Sequence, residues 1–361
     1  MPTHSKATLI FPSCGPGAEA YARAAKERDE SVIAASSLDF DGGAGRFDTW
    51  FKLPTVYAGN FVGELNQAVQ KYGIGRIYCP VPAAHAALTR MAHDRKVRVP
   101  IIGDAPAGKH AREHRELLEH ARVLHRFIQH ASLGRSPLDV LEVASVLRQS
   151  MALYGESDEI KIAAIMAIFA DAPPGDIVEI GVLAGRTACV LALMAQRHGI
   201  GPVLVVDPWT IDQAIQEEST QDVRTAVLSW DTSALFESFI IGLLPFATRG
   251  RFNYLRRSSR DAYRIWSKEK KADSPHFGTV GYGGSLSVLH IDGNHDFARV
   301  SEDCKLWLTH LSPSGWVVLD DYVSYHCDGP RRVGDALLHE QASRIERTFV
   351  SGKALFIKRS A

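Results

Sequence analysis

Residues 178–187 read Val178-Glu179-Ile180-Gly181-Val182-Leu183-Ala184-Gly185-Arg186-Thr187. An apolar run, Ile177 to Ile180, stops at Gly181, a second glycine follows at Gly185, and Arg186 to Arg197 has the composition of a helix. This predicts a strand, a glycine turn and a helix. Glycines let the backbone approach a ligand closely, and the N-terminus of the following helix offers free N–H groups to an anion. On its own the turn reads equally well as close strand-to-helix packing. The pattern is E-x-G-x-x-x-G; the missing third glycine of G-x-G-x-x-G counts against a dinucleotide.

Moving outward, Val203 to Val206 forms the next apolar run and ends at Asp207, 22 residues beyond Gly185. An acid in that place can accept hydrogen bonds from both hydroxyls of a ribose, so the two features together favour a nucleoside ligand. Asn253 to Arg256, Leu286 to Ile291 and Trp316 to Leu319 read as further strands with helices between them, an alternation that means a parallel sheet. The chain end changes character: Ile345 to Val350, Ser351-Gly352 and Ala354 to Lys358 predict two tightly joined strands, a hairpin closing the sheet.

Two apolar strands stop at acids, in His290-Ile291-Asp292-Gly293-Asn294-His295 and in Leu319-Asp320-Asp321-Tyr322. Carboxyl ends of neighbouring strands line the crevice of an open parallel sheet, so Asp292, Asp320 and Asp321 are expected to converge there. Close carboxylates repel unless protonated or neutralised, and an oxygen-only set suits magnesium or another hard divalent ion. The alternative makes Asp320 and Asp321 turn or capping acids and Asp292 a ligand-binding residue without metal. His295 has a titration range suited to taking a proton near neutrality and is the expected general base; Asp292 could take that role if it holds no metal.

The stretches VEIGVLAGRTACVLA, VVDPW, IDGNHDFARVSEDCKLWLTHL and SPSGWVVLDDY together resemble class I S-adenosylmethionine-dependent methyltransferases, in particular the branch with macrolide-sugar O-methyltransferases and cephalosporin-biosynthesis proteins. The resemblance covers about 154–359. It implies that Glu179, Gly181, Gly185 and Asp207 hold S-adenosylmethionine, with Arg186 and Thr187 at the helix start and Ser259, beside Ser258 and Asp261, near the adenine. It further implies that Asp292, Asp320 and Asp321 bind Mg2+ and that His295 is the base. Pro313-Ser314-Gly315 departs from the family's usual Pro-Gly-Gly.

The N-terminal residues alternate too: Ala7 to Pro12, Ser31 to Ser36, Arg76 to Pro80 and Val97 to Ile102 as strands, with helices over Ala18 to Arg28, Phe61 to Lys71 and Ala83 to His93. They resemble the small Rossmann-like domain that precedes ATP-grasp domains, but no ATP-grasp domain follows. Gly15-x-Gly17 is expected to be a structural turn, since no acid closes the second strand to pair with a ribose. From about Lys109 the pattern turns helical and rich in His, Arg and Glu. The spaced histidines His110, His114, His120, His125 and His130 have few nearby carboxylates arranged to complete a metal site and read as a solvated face. The expected organisation is therefore α/β: a smaller Rossmann-like domain over 1–108, a helical join over 109–153, and a methyltransferase domain over 154–361 whose Rossmann-like sheet ends in an antiparallel hairpin.

Charge and composition narrow the function. Lys and Arg total 41 and Asp and Glu 41, which provides no global field for a polyanion and argues against nucleic acid as a partner. No apolar run approaches the roughly 20 residues needed to cross a bilayer, and the opening stretch lacks the layout of an export leader, so a cytoplasmic protein is expected. The 5 cysteines are scattered and read as reduced, buried thiols rather than zinc ligands. The expected activity is metal-assisted methylation of a hydroxyl on a small molecule, a sugar or specialised metabolite. The alternatives are a noncatalytic module that binds the cofactor and recruits a partner, or a nicotinamide oxidoreductase. The first domain is expected to shape the substrate entrance, dock a protein partner or support a homo-oligomer.

Overall fold

The computed structural model describes residues 7–103 and 105–361, apart from the side chains of 106–107 and 247–249. Residues 1–6, part of the stretch read above for an export leader, lie outside the described residues. The chain divides into two compact units, one ending at Glu116 and one running from Leu117 to Ala361.

The first unit runs β1 (Ala7–Ile10), α1 (Pro16–Glu27), β2 (Val32–Ser36), β3 (Trp50–Lys52), α2 (Phe61–Lys71), β4 (Ile74–Tyr78), α3 (Pro82–His93) and β5 (Ile101–Ile102). Its strands pair in parallel in the order β3-β2-β1-β4-β5, over a core that includes Leu9, Ile33, Phe61, Leu65, Ile77 and Leu88. Strand β3 is too short to show a period in the sequence. Gly15 takes φ +96, and a Cβ on Gly17 would stand 3.0 Å from the Pro80 Cβ, so these glycines serve a close packing turn. Buried Asp41 ties the loop after β2 to the loop after β1, accepting from Ser13 Oγ at 2.7 Å and from the Gly43 N–H at 2.8 Å.

Helix α4 (Pro106–Ala131) crosses the division. The second unit continues with α5 (Val140–Met151), α6 (Glu159–Ile168), β6 (Asp176–Ile180), α7 (Arg186–His198), β7 (Val203–Val206), α8 (Ile211–Ala214), α9 (Gln221–Leu228), α10 (Thr232–Leu243), β8 (Phe252–Leu255) and α11 (Ser259–Glu269). It ends with β9 (Lys271–Ser274), β10 (Gly278–Gly281), β11 (Leu286–Ile291), α12 (Phe297–Trp307), β12 (Leu311–Leu319), α13 (Gly329–Glu340), β13 (Ile345–Ser351) and β14 (Ala354–Arg359). The residues expected to form a separate join do not stand apart. Helix α5, started by a capping box between Asp139 and Glu142, buries Val143, Val146 and Leu147 in the same core as Ala188 and Leu191 of α7. Of the spaced histidines, His120 reaches Glu159 at 2.8 Å and His125 reaches the Leu138 carbonyl at 2.9 Å.

The main sheet has seven strands in the order β13-β14-β12-β11-β6-β7-β8. All pairings are parallel except the two made by β14, which is antiparallel to both β12 and β13. Side chains alternate across it with period two: Ile177, Val203, Val205, Val288 and Val318 face the core built with α5, α6 and α7, whereas Val178, Leu204, Val206, Leu289 and Val317 face the core built with α11 and α12. Burial on both faces explains why these strands read as continuous apolar runs. The small β9–β10 hairpin was not expected, because Lys271 to Ser274 is polar; Asn253 Nδ2 holds it by donating to the Ala272 and Gly278 carbonyls at 2.9 and 2.7 Å. Strand β12 begins at Leu311, earlier than its apolar part, and Ser314 within it takes φ +61. That left-handed conformation accounts for the family's usual glycine there. Among the described residues no single helix is long and apolar enough to cross a membrane. Cysteines 79, 189 and 304 are buried as expected, but Cys14 and Cys327 are partly accessible.

Candidate active site

The carboxyl ends of β6, β7, β11 and β12 open into one cleft of about 710 Å³. The glycine turn forms its floor. Gly181 takes φ +84, and a Cβ there would lie 2.0 Å from the Asp292 carbonyl oxygen; Gly185, at φ +92, starts α7 against Leu243 and Phe239. Both positions therefore demand glycine. Asp207 lines the same cleft, and its oxygens accept the backbone N–H groups of Val182 at 2.8 Å, Leu183 at 3.3 Å and Trp209 at 2.7 Å. The acid expected to meet a ribose thus also shapes the turn that precedes it. Burial nonetheless raises its carboxyl above the usual range, against the pull of those N–H groups. Leu183, Trp209 and Asp321 all have positive φ values, 54, 47 and 48, so backbone strain gathers at three strand ends around one cleft.

The remaining expected cofactor residues reach the cleft but hold neighbours as well. Arg186 donates to the Leu153 and Ser157 carbonyls, each at 3.0 Å, and the Thr187 hydroxyl meets that of Ser157 at 2.9 Å. They anchor the loop that brings Tyr154 and Glu156 to the cleft wall. Ser259 accepts from the Trp307 indole at 2.9 Å. Ser258 caps α11, its side chain accepting from the Asp261 N–H and donating to the Asp261 carboxylate at 2.9 Å. Glu179 is buried, with Oε1 3.0 Å from His290 Nδ1 and Oε2 unpartnered. Burial and the charge of Asp292 push its carboxyl well above the usual range. Burial and the charge of Lys161 lower His290 to about 3. Both shifts disfavour the charged forms, so Glu179 and His290 meet through one hydrogen bond between Oε1 and Nδ1, whose direction follows the imidazole tautomer.

The structure brings Asp292 and Asp320 together, but around a lysine. Lys161 Nζ, 1% exposed, lies 3.0 Å from Asp292 Oδ2 and 2.5 Å from Asp320 Oδ2. Burial would strip the ammonium of its proton, yet the two carboxylates hold its pKa above the usual value. Burial would raise Asp320 as well, but Lys161 keeps it well below the usual carboxylate range; Asp292, buried beside the charge of Asp320, is pushed up to about 6. Asp321 faces elsewhere: its Oδ1 pairs with Lys353 at 2.7 Å and its Oδ2 lies 3.3 Å from His295 Nδ1.

His295 stands between acids. Gln216 Nε2 also lies 3.3 Å from its Nδ1, and its Nε2 is buried, without a hydrogen-bond partner, 3.9 Å from Asp292 Oδ1. Burial alone would lower its pKa; Asp292, Cys327 and Asp321 outweigh that and push it up to about 10. These neighbours favour the protonated imidazole of His295 over the neutral ring.

These pairings bear on magnesium. A hard divalent ion takes about six oxygens at close range, whereas the acids expected to supply them are already closed on Lys161 and Lys353. Among the described residues the one donor group compact enough for an ion joins His290 to Asp292 and Asp320, with ligand atoms within 4.8 Å of one another. That set lacks Asp321 and shares its carboxylates with Lys161, so the expected trio does not fit the ion. Sequence reasoning missed Lys161, His290 and Lys353. For Lys161 the signal was present: a lone charge ahead of the apolar run Ile162 to Ile168 in α6.

Residues 178–322 match the model of a family described as a methyltransferase domain. No curated protein matches the chain. Among solved structures, the O-methyltransferase NovP aligns with 16% identity and a TM-score of 0.39, covering 62% of this chain and 82% of NovP. The calicheamicin methyltransferase CalS11 aligns with 14% identity and a TM-score of 0.40, covering 71% and 94%. MycE from the mycinamycin pathway, solved with Mg, SAH and mycinamycin VI, aligns with 15% identity and a TM-score of 0.36, covering 61% and 57%. In the chain itself the matched segment begins in the strand before the glycine turn and ends just past Asp320 and Asp321. Within the unit from Leu117 to Ala361, residues 178–322 therefore carry the match to a methyltransferase domain.

Proposed function

We propose that this domain transfers the methyl group of S-adenosylmethionine to a hydroxyl oxygen of a small molecule, with His295 and Asp292 handling the hydroxyl proton. The observation that carries the proposal is the buried, unpartnered His295 Nε2, set beside Asp292 in the same cleft as the glycine turn and Asp207. The cofactor would lie across Gly181 and Gly185 with its carboxylate toward the start of α7 and its ribose toward Asp207. The acceptor oxygen attacks the methyl carbon as the carbon–sulfur bond breaks; S-adenosylhomocysteine leaves, and the proton passes to the protein.

An imidazolium cannot accept that proton. A sulfonium entering the cleft adds a positive charge near His295 and disfavours its protonated form, which readies Nε2 as the base. Asp292, already raised to about 6, is the second candidate acceptor in the same arrangement. Trp230 and Tyr154 in the cleft lining offer aromatic faces to a sugar or another ring. Magnesium has no step in this proposal, because Lys161 and Lys353 already pair with the acids that would hold it.

The test is transfer of labelled methyl from S-adenosylmethionine to a panel of sugar nucleotides, glycosides and catechols, read by mass spectrometry. A methylated hydroxyl is expected with the wild type, with a rate lower by about 10²–10⁴ in His295→Ala and S-adenosylhomocysteine binding retained. An unchanged rate in both His295→Ala and Asp292→Asn would overturn the proton-transfer assignment.

A further inference from the structure

Lysine is among the residues least often buried, and a fully buried ammonium persists only where carboxylates compensate it. Helix α6 (Glu159–Ile168) buries every residue from Lys161 onward. Asp158 caps it by accepting the Lys161 N–H at 2.7 Å, which fixes the lysine in the first turn. From there Nζ reaches Asp292 at the end of β11 and Asp320 at the end of β12. These strands are sheet neighbours, in register at Ile291 and Leu319, the residues just before the two acids. The ammonium thus bridges the strand ends where an ion shared by the two acids would have to lie.

We infer that Lys161 is the resident cation of this acid cluster, positioning Asp292 and Asp320 in place of a divalent metal, and that the cleft binds no divalent ion while Lys161 is present. A metal engaging both carboxylates would have to displace the ammonium of a side chain that is only 1% exposed. An ion bound beside the ammonium would meet a like charge at close range with little water to screen it. Asp321 is turned to the other side, where Lys353 and His295 face its carboxylate. The atoms left over are His290 Nε2 and Asp320 Oδ1, both buried and unpartnered; with Asp292 they define the competing site. The inference goes beyond methyl transfer and stands apart from it, because its test needs neither cofactor nor acceptor.

The experiment is Mn2+ titration of the full chain, followed by electron paramagnetic resonance of free Mn2+ and by calorimetry. No stoichiometric binding at millimolar Mn2+ is expected for the wild type or for Lys161→Arg, which keeps the charge. Folded Lys161→Met, with the cluster's cation removed, is expected to bind Mn2+ at least an order of magnitude more tightly than the wild type. Lys161→Met combined with Asp320→Asn is expected to lose that gain. Stoichiometric wild-type binding that disappears in Asp320→Asn overturns the inference, as does a folded Lys161→Met that binds no better than the wild type. The wild-type titration decides the matter even if Lys161→Met does not fold, and neither result changes the expected uptake of S-adenosylmethionine.

Discussion

The carboxylate of Asp207 accepts the backbone N–H of Val182 at 2.8 Å, joining the end of β7 in the seven-stranded sheet to the glycine turn after β6. One oxygen also accepts from Leu183, and the other accepts from Trp209. The turn and the acid are therefore one construction, although they are 25 residues apart.

Replacing Asp207 with Ala leaves three backbone N–H groups without their acceptor. Each buried donor left unpaired costs about 1–3 kcal/mol, so chemical denaturation is expected to show a loss of a few kcal/mol. Calorimetry on the folded remainder should show S-adenosylhomocysteine affinity at least about tenfold lower, equivalent to about 1.4 kcal/mol. Unchanged stability would show that the turn holds its shape without Asp207.

Gly181→Ala meets two obstacles at once, a positive φ and a carbonyl oxygen 2.0 Å from the new Cβ. The backbone of the turn or of Asp292 must move. A destabilisation of roughly 2 kcal/mol or more is expected, together with loss of cofactor binding. A Gly181→Ala protein with wild-type melting temperature and affinity would contradict the described turn.

Asp303 provides a pH test. It is buried on α12, and burial pushes its carboxyl up to about 7 against a hydrogen bond with Ser259. The folded state keeps a proton that the unfolded chain, with a carboxyl near 3.9, releases. Stability is therefore expected to fall as pH rises from about 4 to about 7, by about 1.4 kcal/mol for each pH step of one, and to level off above. Asp303→Asn should remove that slope and be more stable than the wild type at pH 8 but not at pH 4. Denaturation series at the two pH values check it; a constant difference would show that Asp303 ionises normally in the fold.

Lys161→Met strands two acids near one another in a buried site. Breaking a buried ion pair from one side costs about 3–5 kcal/mol. Adding Asp320→Asn should return part of that loss, so the double-mutant cycle is expected to show a coupling well beyond the additive limit of about 0.5 kcal/mol. Additive effects would mean that the two side chains do not interact.

Much of this architecture was legible because strands buried on both faces read as apolar runs bounded by turn residues, as at Val203 to Val206 and Leu286 to Ile291. The polar β9–β10 hairpin was not, since Asn253 rather than an apolar face holds it. Glycines, acids and His295 could be placed at the cleft because strand ends converge by topology. Their pairings could not: Lys161 lies 131 residues before Asp292 and 159 before Asp320, and only the folded chain shows that Asp321 faces Lys353 while its neighbour faces Lys161. Sequence spacing reveals which acids share an edge; side-chain direction decides which cation each one meets.

The most direct test of the account is calorimetric titration of S-adenosylmethionine and S-adenosylhomocysteine into the purified chain in the presence of a chelator. One equivalent of each is expected to bind the wild type, with binding weakened in Asp207→Ala and lost in Gly181→Ala. A folded wild-type protein that takes up neither ligand, with or without added magnesium, would contradict the assignment of this cleft to methyl transfer.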